Sequence, residues 1–195
     1  MTAVTATRTD WRVCPMDGDA IGVLLAAGAG SRYGSPKVLA HDGAWLDTAV
    51  SALRDGGCER VLVVLGAADA PMPRGAEAVH APQWRDGLSA SLRAGLSGAG
   101  RASFAVVHVV DTPDVGFEVV RAVLDAARAT PSHLARAVFG GVPGHPVVFG
   151  REHWDDVAAG AEGDSGAREF LRGRTDVVAV ECSRWATGVD HDERS

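Results

Sequence analysis

Short apolar runs separated by amphipathic stretches are the main pattern along this chain. Residues 21–27, 60–65 and 104–110 are apolar at nearly every position, which is typical of strands buried on both faces of a parallel sheet. Apolar residues recur at helical spacing in 45–53 and again in 114–129, which predicts two helices. This alternation of strand and helix predicts βαβ units with right-handed crossovers.

The remaining predicted elements are shorter. Residues 89–96 are predicted to be the start of a helix, and Asp164 is the candidate N-cap of a helix that ends near Leu171. Residues 1–19 have no period and are predicted to be a loosely packed lead-in, followed by a single domain over 20–195. Further short strands are predicted at 77–80, 135–139, 145–149 and 177–180, with a turn over 140–144.

A glycine-rich loop follows the first predicted strand. Gly28, Gly30 and Gly34 lie in it, and Arg32 and Lys37 add positive charge. Glycines let the backbone approach a ligand and adopt positive φ, so that N–H groups converge on anionic oxygens. Lys37 is the only lysine among the 19 Lys and Arg residues, and a compact ammonium binds phosphate as a point charge. The loop therefore predicts a phosphate-binding site.

Two well-known phosphate-binding motifs do not fit this loop. A P-loop has Ser or Thr after its lysine, where this chain has Val38. The dinucleotide fingerprint Gly-x-Gly-x-x-Gly fails because its third glycine, Gly34, is one residue late. The second strand, 60–65, is followed by Gly66 rather than by an acidic residue that would bind a ribose.

The loop instead resembles the Leu-Ala-Ala-Gly-x-Gly-x-Arg-x-Gly-x-Pro-Lys signature of the MobA-like nucleotidyltransferases. Segments within 84–96, 111–113, 144–149 and 163–168 are similar to later motifs of the molybdenum-cofactor cytidylyltransferase branch. The resemblance covers roughly residues 20–192. It implies a three-layer α/β/α Rossmann-like fold with a mostly parallel central sheet. The loop residues that match are Leu25, Ala26, Ala27, Gly28, Gly30, Arg32, Gly34, Pro36 and Lys37.

The resemblance also implies which residues bind the nucleotide. Arg32, Lys37 and Asp111 take catalytic roles in this interpretation. For Ser89 and Ser91 the alternative is that their hydroxyls only cap the helix that begins there. The implied nucleotide-binding residues are Leu25, Ala26, Ala27, Gly28, Gly30, Lys37, Ser89 and Ser91.

Asp111 directly follows the predicted strand 104–110. A carboxylate at the carboxyl end of a central parallel strand lies where open α/β sheets bind ligands, although Asp-Thr-Pro is equally a turn sequence. The resemblance implies that Asp111 and Asp190 hold Mg²⁺. Asp192 is an alternative to Asp190 as the second metal ligand, because the Thr-Pro expected after that aspartate is missing. The other alternative is that the tail is simply a solvated acidic terminus.

Two residues are implied on the acceptor side of the site. His145 lies in a Gly-His-Pro segment and Arg168 in a Gly-Asp-x-Gly-Ala-Arg segment, both of which are similar to the family. The resemblance implies that both contact the substrate. The alternative for His145 is a structural role, which is common for a lone histidine before a strand.

Charge and cysteine content exclude several other classes. A net charge of −6 argues against a general nucleic-acid surface. The three cysteines are widely spaced without a Cys-x-x-Cys motif, which predicts neither disulfides nor a zinc site. No apolar run approaches the ~18 residues of a membrane span, and the N-terminus lacks an apolar signal core. We therefore expect a cytoplasmic protein without membrane or nucleic-acid partners.

Together these features predict a Mg²⁺-dependent nucleotidyltransferase. It would transfer CMP from CTP, or a monophosphate from another NTP, to a phosphorylated acceptor such as molybdopterin and release pyrophosphate. The resemblance implies a small-molecule phosphorylated acceptor as partner, together with a molybdoenzyme or its chaperone. The alternatives are a sugar-phosphate nucleotidyltransferase, an oxidoreductase on a nucleotide-binding fold, and a nucleotide-binding protein without catalysis.

Overall fold

The computed structural model describes residues 19–191, and a seven-stranded sheet forms its centre. The strands are β1 (Ala20–Leu25), β2 (Arg60–Leu65), β3 (Ala76–His80), β4 (Phe104–Val109), β5 (Leu134–Phe139), β6 (Val142–Gly150) and β7 (Val178–Glu181). Their order across the sheet is β3-β2-β1-β4-β6-β5-β7. Within residues 19–191, β6 is the one strand antiparallel to its neighbours, and all other pairings are parallel. The predicted mostly parallel sheet is confirmed.

Helices cover both faces of the sheet, which gives the three layers that the sequence predicted. Helices α1 and α3 pack with one set of buried strand residues, and α2 and α4 pack with the other set. Because both faces of the central strands are covered, successive residues such as Val23 and Leu24 are fully buried although they point in opposite directions. The helices are α1 (Ala44–Asp55), α2 (Leu88–Gly98), α3 (Phe117–Ala129), α4 (Trp154–Gly160) and α5 (Arg168–Leu171).

Three predicted details differ from the structure. The first strand ends at Leu25 rather than at residue 27, and α3 begins at Phe117 rather than at residue 114. The predicted turn over 140–144 shrinks to Gly140 and Gly141, which join β5 to β6 directly. Both glycines have positive φ, and a two-residue hairpin turn of that kind matches the twist of its strands.

The prediction that Asp164 caps a helix is wrong. Residues Gly163–Ser165 form a separate 3₁₀ turn, and α5 has Ala167 at its N-cap without a side-chain hydrogen bond. Residues 1–18 of the lead-in predicted over 1–19, and Asp192, lie outside the described residues.

No helix within residues 19–191 is both long and apolar enough to cross a bilayer. Cys58 and Cys182 are buried free thiols.

Candidate functional site

The glycine loop and Asp111 meet at one edge of the sheet. Strands β1 and β4 are parallel neighbours with Leu25 paired to Val109, so the segments that follow them emerge side by side. The Lys37 ammonium donates a hydrogen bond to Asp111 Oδ2 at 2.8 Å, and the two side chains are 14% and 22% exposed. The structure therefore brings together two of the three residues predicted to be catalytic, although they are 74 positions apart in sequence.

The loop is folded tightly upon itself. Gly30 has φ +60°, and a Cβ at this position would overlap the carbonyl oxygen of Ser35. The Gly34 N–H closes the turn by donating to the Gly30 carbonyl at 2.7 Å. Only glycine fits this geometry, so the residue is required for the shape of the loop whatever ligand the loop binds.

The residues at the start of the loop differ in what they offer a ligand. Ala26 and Ala27 are 5% and 3% exposed. The Ala26 N–H donates to the Val64 carbonyl, and the Ala27 carbonyl accepts from the Ala67 N–H, so both groups are occupied by neighbouring backbone. Gly28 and Arg32 are exposed, and they present the backbone and the charge of the loop to solvent.

Helix α2 places Ser89 and Ser91 inside the protein. Ser89 is fully buried and its hydroxyl has no hydrogen-bond partner within the described part of the chain, while Ser91 is 4% exposed. The N-cap of α2 is Gly87, and no side chain caps it, so the alternative that these serines cap the helix is not what the structure shows. Their contact with a nucleotide remains a prediction.

A carboxylate on the β4–α3 connection holds the C-terminal tail. Asp114 Oδ2 accepts hydrogen bonds from the Thr187 N–H at 2.7 Å, the Thr187 hydroxyl at 2.6 Å and the Gly188 N–H at 3.3 Å. Burial opposes ionisation of Asp114, but these hydrogen bonds outweigh it and lower the pKa of the carboxyl. Asp114 was not among the predicted site residues, and the one signal for it in the sequence is its position three residues after Asp111.

The tail then passes beside Asp111. The His191 N–H donates to the Asp111 carbonyl oxygen at 3.0 Å, so Asp190 directly precedes the residue that contacts Asp111. Both carboxylates act electrostatically on His145. Burial lowers the pKa of His145, and the Val107 carbonyl, Asp190 and Asp111 oppose that shift. The predicted metal residues Asp111 and Asp190 therefore share one neighbourhood.

Aromatic rings connect the loop, α1 and the tail. The Trp45 ring lies 5.4 Å from the Tyr33 ring, 5.2 Å from the His41 ring and 5.4 Å from the His191 ring, measured between centroids. This cluster was not predicted, because its members are spread from residue 33 to residue 191. Through Trp45, the cluster links His191 of the tail to Tyr33 of the glycine loop.

A cavity of about 420 Å³ opens beside Asp190. Leu25, Val107 and His145 line it near the ends of the strands, and Arg168 lines it from α5. The structure thus brings both predicted acceptor-side residues to one cavity next to a predicted metal ligand. Their roles as substrate contacts remain predictions.

We expect Asp114→Ala to release the tail. The change removes the acceptor of three hydrogen bonds, so the amides of residues 187–191 should exchange hydrogen for deuterium faster. Asp114→Asn keeps one oxygen acceptor and should show a smaller change. Hydrogen-exchange mass spectrometry of a peptide covering these residues measures the effect. Asp125→Ala, on the exposed surface of α3, is the control. Unchanged exchange in Asp114→Ala would show that the aromatic contacts hold the tail without Asp114.

The fold and the loop–carboxylate pairing define a nucleotide-binding α/β domain of the nucleotidyltransferase type. The MobA-like NTP transferase domain matches residues 22–179, which is more than half of the chain. The chain therefore belongs to the MobA-like NTP transferase family.

Three known proteins are similar to this chain in sequence or in fold. A protein of Paenarthrobacter nicotinovorans named nicotine blue oxidoreductase is 35% identical over 187 residues, which cover 88% of this chain and 91% of that protein. Rv0371c of Mycobacterium tuberculosis H37Rv is 30% identical with a TM-score of 0.70, covering 90% of this chain and 94% of the other. Rv0371c has also been solved in complex with manganese (27% identity, TM-score 0.62, 85% and 88% coverage).

The third is a nucleotidyl transferase from Methanothermobacter thermautotroptrophicus. It is 23% identical to this chain with a TM-score of 0.74, and the match covers 89% of this chain and 92% of that protein's chain. At this identity the likeness concerns the fold, which is that of a nucleotidyltransferase.

Proposed function

We propose that this chain is a cytoplasmic, divalent-metal-dependent nucleotidyltransferase that moves CMP from CTP to a phosphorylated acceptor. The observation that carries the proposal is the Lys37–Asp111 pair, which joins the glycine loop after β1 to the carboxylate after β4. Molybdopterin is the acceptor that the resemblance favours. A molybdoenzyme or its chaperone would then receive the product.

The proposed reaction needs no covalent intermediate with the protein. An acceptor phosphate is already ionised at pH 7, so its oxygen attacks the α-phosphorus of CTP without a general base. The new bond joins that oxygen to the α-phosphorus, the bond to the β-phosphate oxygen breaks, and pyrophosphate leaves. The obstacle is the repulsion between two polyanions, which positioning and electrostatics overcome.

The residues of the loop have distinct parts in this scheme. Lys37, next to Asp111, would neutralise charge on the triphosphate. Arg32, exposed on the loop, would bind the same anion from the solvent side. The exposed backbone at Gly28 would contribute N–H donors.

The carboxylates present fit a Mg²⁺-type ion. Mg²⁺ is usually held by one or two carboxylates together with substrate phosphates and waters, and Asp111 and Asp190 supply two. Residues 19–191 contain no group of three or more His, Cys, Asp or Glu side chains that would form a complete cage, which agrees with a site shared with substrate. When bound, such an ion would withdraw charge from the phosphates. The manganese complex of Rv0371c supports a divalent ion in this family.

An oxidoreductase is the second candidate, because the relative from Paenarthrobacter nicotinovorans carries that name at 35% identity. A reductase of this type would need a redox cofactor. The loop departs from the dinucleotide fingerprint, and β2 is followed by Gly66 rather than by an acidic residue. These features favour a triphosphate over a dinucleotide.

Thermal unfolding distinguishes the two functions. A ligand at a hundredfold excess over its Kd stabilises the native state by about 2.7 kcal/mol, which for a chain of this size raises Tm by about 5–10 °C. We expect CTP with Mg²⁺ to give such a shift and NAD(P)H to give little. GTP, UTP and ATP, each with and without Mg²⁺, test the base preference. A larger shift with NAD(P)H, together with a reductase activity, would establish the second candidate instead.

A further inference from the structure

Four arginines line the cavity, in a chain whose net charge is −6. Two of them are neutralised locally. Arg172 pairs with Glu169 at 2.6 Å, and Arg174 pairs with Asp176 at 2.7 Å. Arg136 and Arg168 also line the cavity, and neither forms an ion pair within residues 19–191. Asp164 and Asp190 also line the cavity, but within residues 19–191 neither carboxylate forms an ion pair with Arg136 or Arg168.

Arg136 is the unusual member of this group. It lies in β5 between Ala135 and Ala137, which are fully buried. Its Nε is buried and has no hydrogen-bond partner among the described residues. A guanidinium N–H that is withheld from water without a partner destabilises the fold, so stability does not explain an arginine at this position.

The backbone beside Arg136 is also irregular. The register between β5 and β6 shifts between Arg136 and Val138. Irregularities of this kind re-aim side chains and are common next to functional sites. Here the irregular strand carries an arginine into the wall of the cavity.

We propose that Arg136, together with Arg168 of α5 in the lining of the same cavity, forms a subsite for a second oxyanion of the acceptor, either a carboxylate or a phosphate. This oxyanion is distinct from the phosphate that reacts near Asp111 and Asp190, so the inference rests on the proposed function. Arg136 and Arg168 line the same cavity, and their two guanidinium groups supply the charge and the N–H donors that bind the oxyanion. The acceptor is then a small molecule with two anionic groups, and molecules with only the reacting phosphate bind poorly.

The stability of the ligand-free protein separates this role from a structural one. Arg136→Gln removes a charge that has no partner, so its Tm should equal or exceed that of the wild type. If Arg136 instead supported the fold, the Tm would fall, and the inference would be wrong.

Anion binding without nucleotide provides the direct test. Inorganic phosphate and acetate are titrated by calorimetry into Lys37→Ala protein, in which the phosphate contact of the glycine loop is removed. Adding Arg136→Gln should weaken the affinity for the preferred anion about tenfold or more, as expected for a lost charge-assisted hydrogen bond. Adding Arg172→Gln, whose guanidinium lies at the same cavity but is paired and 67% exposed, should change it less than twofold. Tighter binding of acetate than of phosphate would assign a carboxylate.

Three results would overturn the subsite. The first is that Lys37→Ala protein binds neither anion. The second is that adding Arg136→Gln leaves its anion affinity unchanged. The third is that Arg136→Gln and Arg172→Gln weaken the affinity equally, which would indicate only the general electrostatic field of the cavity. Because no nucleotide or metal is present, the outcome is independent of whether the chain transfers nucleotides. In the active enzyme, Arg136→Gln should raise the KM for the acceptor and leave the KM for CTP unchanged.

Discussion

Asp111→Asn is expected to lower the rate of pyrophosphate release by ~10²-fold or more while the domain stays folded. This is the scale of losing one electrostatic stabiliser of a transition state. Asn keeps the shape of the side chain and one oxygen acceptor but removes the charge that would hold a metal ion. The side chain is 22% exposed and its main partner is Lys37, so the variant leaves no deeply buried charge behind.

The affinity for metal-free CTP is a second measurement on the Asp111→Asn variant, and it should not fall with turnover. Without metal, the Asp111 carboxylate repels the triphosphate, so Asp111→Asn should bind metal-free CTP as well as the wild type or better. A variant that merely damages the site would lose both binding and turnover. Pyrophosphate release measured across a Mg²⁺ titration, with metal-free CTP calorimetry alongside, separates the two cases.

The tail aspartates are the matched comparison. Asp190→Asn should also lower turnover, because Asp190 lies beside the His191 N–H that donates to the Asp111 carbonyl. If Asp192→Asn is the damaging change, the tail alignment is shifted by two residues. If neither tail variant matters, Asp111 and the phosphates hold the metal alone. If the wild type releases no pyrophosphate with any phosphorylated acceptor, the oxidoreductase or the non-catalytic interpretation replaces the transferase.

Lys37→Ala is expected to weaken CTP binding by ~1.5–3 kcal/mol, which corresponds to about 10- to 150-fold in Kd. The ammonium is 14% exposed and held 2.8 Å from Asp111 Oδ2, so it is already placed where the triphosphate is expected. Isothermal titration calorimetry with Mg·CTP measures the loss, and Lys37→Arg tests whether charge alone suffices. Unchanged affinity in a folded Lys37→Ala protein would remove Lys37 from the binding site.

A double variant resolves how Lys37 acts. If Lys37 only shields the negative charge of Asp111, the Lys37→Ala and Asp111→Asn changes together should restore CTP binding. If the ammonium contacts the triphosphate directly, binding stays weak in the double variant. The interaction energy from this cycle distinguishes the two, since the residues are in direct contact and are expected to be non-additive.

Local chemistry along the chain determined much of this fold. The run 60–65 became β2 with unchanged bounds, because consecutive β-branched and leucine residues favour a strand buried on both faces. The strand-then-glycine pattern of 21–37 located the tight loop, because glycine alone permits the backbone at Gly30. Family motifs carried the prediction further, to Asp111 and Lys37.

Only the tertiary structure decided how distant segments meet. An apolar run has no readable direction, so the sequence could not show that β6 runs antiparallel to β4 and β5. Asp114 stood at the start of a predicted helix, and only the fold brought Thr187 and Gly188 to its carboxylate. Arg136 had no motif at all, and only the packing of β5 beside the cavity shows that its Nε is buried without a partner. Contacts between residues far apart in sequence depend on how the whole core packs, whereas turns and strands depend on a few neighbouring residues.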